Sequence, residues 1–176
     1  AIEIRRSIRA YGDRPVEREK LEAVLRAGNQ APIFGRLHMS VFAGPEQLQA
    51  VDAAAVAGMA RSGVPFLENL AAQEGYHPLY GAAALVVLSA PGGLDEKGFN
   101  MANVSCAAEN MLLAAAGLGL GSCFLMGPMA AFSDPALRAR LELPGGYEPL
   151  VGVALGYAAL ERPVAPERTD AGITWC

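Results

Sequence analysis

Residues 98–118 place Val104, Ala108, Met111, Leu112, Ala115 and Leu118 at helical spacing, with few charges anywhere around the circumference. A helix with no polar face has to lie inside the molecule. Ahead of it, residues 82–90 form a continuous apolar run, Ala-Ala-Ala-Leu-Val-Val-Leu-Ser-Ala, closed by Pro91-Gly92-Gly93. That is the pattern of a strand covered on both faces. Buried helix and buried strand together imply a central sheet with helices packed around it.

The other segments fill in that frame. Ile4 and Ile8, one helical turn apart, predict a short helix over 2–9. A second helix is expected from about Glu17 to Ala27, with Gly28 as its stop. His38 to Ala43 reads as a strand, and Pro45 opens a helix running to about Ala60. Gly63, Pro65, Gly75, Pro78 and Gly81 break up residues 61–81, which read as a mobile segment with a helical turn or so inside it. Ser122 to Met126 is expected as a short buried strand. Ser133-Asp134-Pro135 reads as a helix start, and that helix is expected to end near Pro144-Gly145-Gly146. Leu150 to Tyr157 reads as the last strand. The order is that of an α+β fold around a mixed sheet, with residues 1–176 expected as one domain and no internal repeat.

Charge narrows the partners. The net charge is −4, yet eight of the fourteen Lys and Arg residues lie in 1–36, and only Arg61 and Lys97 fall between 37 and 137. A local cluster of cations in an acidic chain suits a small anionic ligand, whereas a nucleic-acid binder shows a broad basic face. The longest apolar run, Met111 to Leu120, is too short to span a bilayer. Cys106, Cys123 and Cys176 show neither a disulfide framework nor metal spacing, and they read as buried apolar thiols in a cytoplasmic protein.

The cluster centres on Arg5-Arg6-Ser7-Ile8-Arg9. On the expected helix, Arg5 and Arg9 share a face with Ser7 nearby. Forked guanidinium donors suit a phosphate or another delocalised oxyanion. A solvated basic face is the alternative that this segment alone leaves open. The glycine-rich run 116–123 is no dinucleotide loop, because its glycines follow a helix and precede a strand, which would turn the negative helix end toward a phosphate. Those glycines read as a helix stop and a close chain crossing. His38 and His77 lack partners at metal spacing, and no paired carboxylates or nucleophile elbow stand out. Any redox or transfer chemistry is then expected to come from a cofactor.

The start Arg5-Arg6-Ser7-Ile8-Arg9-Ala10-Tyr11, with the following helix and Gly28-Asn29-Gln30-Ala31-Pro32, resembles the nitroreductase family of FMN-dependent oxidoreductases. So do the strand entry Pro78-Leu79-Tyr80-Gly81-Ala82, the helix run 107–115 and the passage Gly117 to Cys123. The resemblance implies an intertwined homodimer with FMN at the subunit interface. It places Arg5, Arg6 and Ser7 on the FMN phosphate and ribityl chain, and Arg9 at the flavin pyrimidine edge. It also implies a backbone donor near flavin N5 at Met126 or Gly127, and a second phosphate contact at Arg168. NAD(P)H would reduce the flavin, and a nitroaromatic, quinone or similar conjugated small molecule would reoxidise it.

One loop departs from the family pattern. Where the family has Pro-Ser-x-x-Asn-x-Gln, this chain reads Pro32-Ile33-Phe34-Gly35-Arg36-Leu37-His38. A hydroxyl and an amide are replaced by Ile33 and Arg36, and His38 stands in place of Gln. Arg36 is a candidate substitute donor to the flavin carbonyls. A non-catalytic scaffold of the same fold is the alternative this loop favours. Phe66, Tyr76 and Tyr80 are expected either to stack on a planar substrate or to pack beneath the 61–81 segment. Asn100 and Asn103 are expected to face the pocket or to cap the helix.

Overall fold

The computed structural model describes residues 1–92, 98–160, 163–164 and 172–175. The apolar run becomes strand β2 (Ala84–Pro91), whose residues from Ala84 to Ala90 are all buried. It sits inside a four-stranded sheet of order β1-β2-β4-β3, with β1 at His38–Phe42, β3 at Gly121–Leu125 and β4 at Tyr147–Gly156. Every neighbouring strand pair is antiparallel. The parallel element found among the described residues is a single bridge, Ser7 to Ser122, beside β3.

Side chains alternate across β2 and so divide the core. Val86 and Leu88 join Val151, Val153 and Leu155 beneath helices α1 (Arg18–Asn29) and α4 (Phe99–Gly117). Leu85 and Val87 face the other way, with Leu125 and Ala154, toward α2 (Pro45–Met59) and the short helical turn Gly127–Ser133. Fully burying such a side chain contributes about 1.5–3 kcal/mol, so a strand apolar on both faces is drawn to the middle. Helix α4 is central, as its lack of a polar face required.

Helix α3 (Pro65–Ala71) accounts for the helical turns expected in 61–81, and turns fill the rest of that segment. Helix α5 (Pro135–Ala139) starts where expected, with Asp134 Oδ1 accepting from Ala136 N at 2.8 Å and from Leu137 N at 3.1 Å. It ends earlier than the sequence suggests. Gly28 does not stop α1, which continues to Asn29; it is the point where α1 crosses α4, and a Cβ there would overlap Met111 Cε.

The helix expected over 2–9 does not form. Residues 7–12 are extended instead, because the edge of the sheet offers better partners than a short isolated helix can supply. Ile8 N donates to Ser122 O at 2.9 Å, Gly12 N to Tyr157 O at 2.9 Å, and Ala159 N to Ala10 O at 3.0 Å. The two isoleucines then part company: Ile8 is 5% exposed and Ile4 50%.

Candidate functional site

The cation cluster rides on this extended arm. Its approach to the sheet depends on Gly121, where a Cβ would come within 2.9 Å of Ile8 Cγ1. Gly119, at φ +78, reverses the chain after α4 and lets Leu120 N donate to Ala115 O at 2.8 Å. The glycine run is thus a helix stop followed by a close crossing, and that crossing seats the arm.

Arg5 is half-buried against α4. Its Nε lies 3.4 Å from Glu109 Oε1, yet it is buried and finds no hydrogen-bond partner among the described residues. Arg6 is committed to main chain, its Nε donating to Pro163 O at 3.1 Å and its Nη1 to Glu3 O and Arg5 O, both at 2.7 Å. Ser7 and Arg9 are exposed, and both act on buried Cys123. Burial pushes that thiol up, opposed by the Arg9 charge and by a hydrogen bond from Ser7. Cys106 departs from expectation, being exposed on α4.

Arg9 also lines a groove of about 1370 Å³ between α2 and residues 73–83. Tyr11 and Tyr80 wall it, and Tyr76 meets Tyr80 edge-on with ring centroids 6.4 Å apart. Burial, then the hydrogen bond to Tyr80, pushes the Tyr76 phenol up to about 12. Tyr76 and Tyr80 therefore both line the groove and pack on each other, while Phe66 is 69% exposed on α3. At the groove edge His77 Nδ1 donates to Asp52 Oδ2 at 2.7 Å, and Asp52 Oδ1 accepts from Leu79 N at 2.8 Å. Sequence reading missed this carboxylate–imidazole pair. The two residues lie on different elements, and only the turns after α3 bring them together.

The departing loop is well anchored. Asn103 is buried near the start of α4, where Oδ1 accepts from Phe34 N at 3.0 Å and Nδ2 donates to Phe34 O at 2.5 Å. It neither caps the helix nor faces the groove. Phe34, 80% exposed, leans on Phe99 with centroids 6.0 Å apart, and Pro32 and Arg36 are exposed beside it. Asn100 Nδ2 donates to Pro91 O at 2.6 Å. His38 turns inward, its Nε2 donating to Leu141 O at 3.1 Å, the same carbonyl that accepts from Ser40 Oγ at 2.7 Å. Met126, 56% exposed, leaves β3, and Gly127 packs near Met59 and Leu67. Arg168 lies outside the described residues.

Where the arm ends, Glu17 Oε2 accepts from Tyr157 Oη at 2.7 Å, Lys20 Nζ donates to Tyr157 Oη at 2.8 Å, and Arg14 stacks 4.0 Å from the ring centre. The Tyr157 hydroxyl first, then backbone and Arg14 hydrogen bonds, hold the Glu17 carboxyl down at about 2. Among the described residues no three His, Cys, Asp or Glu side chains gather as a metal site, and no helix is long and apolar enough to cross a membrane.

Fold and arm define a class of α+β proteins that present cations along one sheet edge beside a large groove. The Nitroreductase family profile matches residues 2–157. A candidate NADH dehydrogenase/NAD(P)H nitroreductase from Archaeoglobus fulgidus is 32% identical over 166 residues, 92% of this chain and 85% of its own. A nitroreductase with bound FMN from Bacteroides fragilis has a TM-score of 0.84 at 31% identity, covering 99% of this chain and 96% of that one. A nitroreductase with bound FMN from Desulfitobacterium hafniense also reaches 0.84, at 23% identity, and shares the fold. The chain belongs to the nitroreductase family and is an oxidoreductase of that class.

Proposed function

We propose that the chain is an FMN-dependent oxidoreductase that takes electrons from NAD(P)H and reduces a nitroaromatic, quinone or similar conjugated acceptor. It works as an intertwined homodimer with FMN at the subunit interface. The observation that carries this reading is Arg5, whose buried Nε makes no hydrogen bond among the described residues and lies 3.4 Å from Glu109 Oε1, on the same arm as the exposed Ser7 and Arg9. A guanidinium with donors left over, beside a hydroxyl and a second cation, fits a nucleotide phosphate. When bound, FMN supplies hydride acceptance and donation.

The chain's own residues then bind and orient. Arg5 and Ser7 hold the phosphate and ribityl chain, with Arg168 as a second phosphate contact. Arg9 lies at the pyrimidine edge, where its charge favours the electron-rich state of the ring system and raises its potential. Met126 and Gly127 offer main-chain groups where β3 ends. Pro32 and Arg36 reach the partner subunit's site from the loop held by Asn103. Arg6 and His38 act as structural ties, since their donors serve main-chain carbonyls. NAD(P)H leaves before the acceptor enters, which is ping-pong turnover.

Purified protein is expected to be yellow, with about one FMN per chain, and to be bleached by NADH or NADPH. Arg9→Ala that still binds FMN is expected to show a lower flavin midpoint potential by redox titration. An unchanged midpoint would remove the role given to Arg9. The rival is a scaffold that has lost catalysis, favoured by the missing hydroxyl and amide in the 33–36 loop; colourless protein that takes up no added FMN would decide for it.

A further inference from the structure

The groove contains a carboxylate–imidazole pair that the flavin reading does not use. His77 is a wall residue of the groove and its side chain is 69% exposed, so the ring meets solvent and any occupant of the groove. Its Nδ1 is held by Asp52 at 2.7 Å, and Nε2 has no hydrogen bond among the described residues. Asp52 is itself fixed, because its second oxygen takes Leu79 N at 2.8 Å. A carboxylate on Nδ1 orients the ring, selects the tautomer and supports the imidazolium, leaving Nε2 as the working nitrogen. The other charged and titratable groups lining this groove are Arg9, Tyr11 and Asp13 from the arm, and Glu74, Tyr76 and Tyr80 from the segment that carries His77.

We propose that the Asp52–His77 pair is the proton donor for a quinone acceptor bound in this groove, with Nε2–H delivering the proton to the acceptor's carbonyl oxygen. This rests on the flavin reading above, which places Arg9, a wall residue of the same groove, at the cofactor. The balance closes with NAD(P)H as reductant: the quinone gains two electrons and one proton as a hydride, and a second proton at oxygen. The imidazolium N–H bond breaks, the O–H bond forms, and exposed His77 regains its proton from water. Asp52 acts as a positioning residue.

The test compares two acceptors on the FMN-loaded protein: 2-methyl-1,4-naphthoquinone, which takes up protons, and ferricyanide, which takes up electrons only. His77→Gln is expected to lower quinone turnover roughly 100-fold while leaving ferricyanide turnover unchanged. If both rates fall together in His77→Gln, or neither does, the proposal is overturned and the flavin reading stands. If the wild type reduces neither acceptor, the flavin reading itself fails. A readout independent of turnover is ¹⁵N NMR of the two imidazoles in the chain. Neutral His77 is expected to carry its proton on Nδ1, moving to Nε2 in Asp52→Asn, whose amide donates. A wild-type proton on Nε2 would overturn the assignment.

Discussion

Residues 7–12 are tied down through their main chain, whereas the hydrogen bonds that hold residues 33–36 come from one side chain, Asn103. The arm's backbone bonds leave Ser7 and Arg9 exposed, and most single side-chain changes along it do not alter its register. The loop presents exposed Phe34 and Arg36 just as openly, but a single substitution at Asn103 on α4 removes its side-chain tie. A main-chain attachment holds position and frees the side chains. A side-chain attachment can be lost, or retuned, in one mutational step.

The largest break in this contrast is expected at Gly121. In Gly121→Val the new side chain drives into Ile8 and lifts the arm, costing about 3 kcal/mol. The denaturation midpoint falls and FMN affinity falls with it. A variant with wild-type stability and affinity would show that the arm is not seated by that contact. Next, Arg5→Ala removes a charge-assisted contact worth about 2 kcal/mol, so FMN binds roughly 30-fold more weakly by fluorescence titration, with the fold unchanged. Asn103→Ala leaves both main-chain groups of Phe34 unpaired, at about 1 kcal/mol, because water reaches this exposed loop. Hydrogen exchange should show the Phe34 amide losing protection while the Ile8 amide keeps it. Equal loss at both would erase the distinction between the two attachments.

The smallest effect concerns the end of the arm. The Glu17 carboxyl is held at about 2 in the folded protein against an ordinary 4.5. A depressed carboxyl contributes stability that is complete above the ordinary value and is lost as pH falls from 4.5 toward 2. Glu17→Gln is therefore expected to flatten that part of the stability–pH curve slightly, as followed by thermal melts. A curve as steep as the wild type's would assign the loss to other carboxylates.

Much of this architecture was legible in the chain, and the reasons are local. The runs at 84–90 and 99–117 announce burial because no placement at a surface suits them. Asp134-Pro135 carries its own cap chemistry. The arm was misread because Ile4 and Ile8 match a helical repeat, and nothing nearby reveals that the edge of β3 would take up the backbone. The cations were found, but their geometry was not, since that geometry belongs to the partner strand. Asn103 and the Asp52–His77 pair were missed as devices for the same reason. Each joins segments whose proximity exists only after folding, and neither leaves a spacing signature.

The acceptors that receive the arm, Ser122 O and Tyr157 O, lie at the start of β3 and just past the end of β4. During synthesis the arm emerges before β3 and β4, and it has nowhere to settle until those strands have left the ribosome and slotted into the sheet. Under the role proposed for those arginines, nucleotide capture would then follow the formation of β3 and β4, and a copy truncated before them is expected to take up no cofactor.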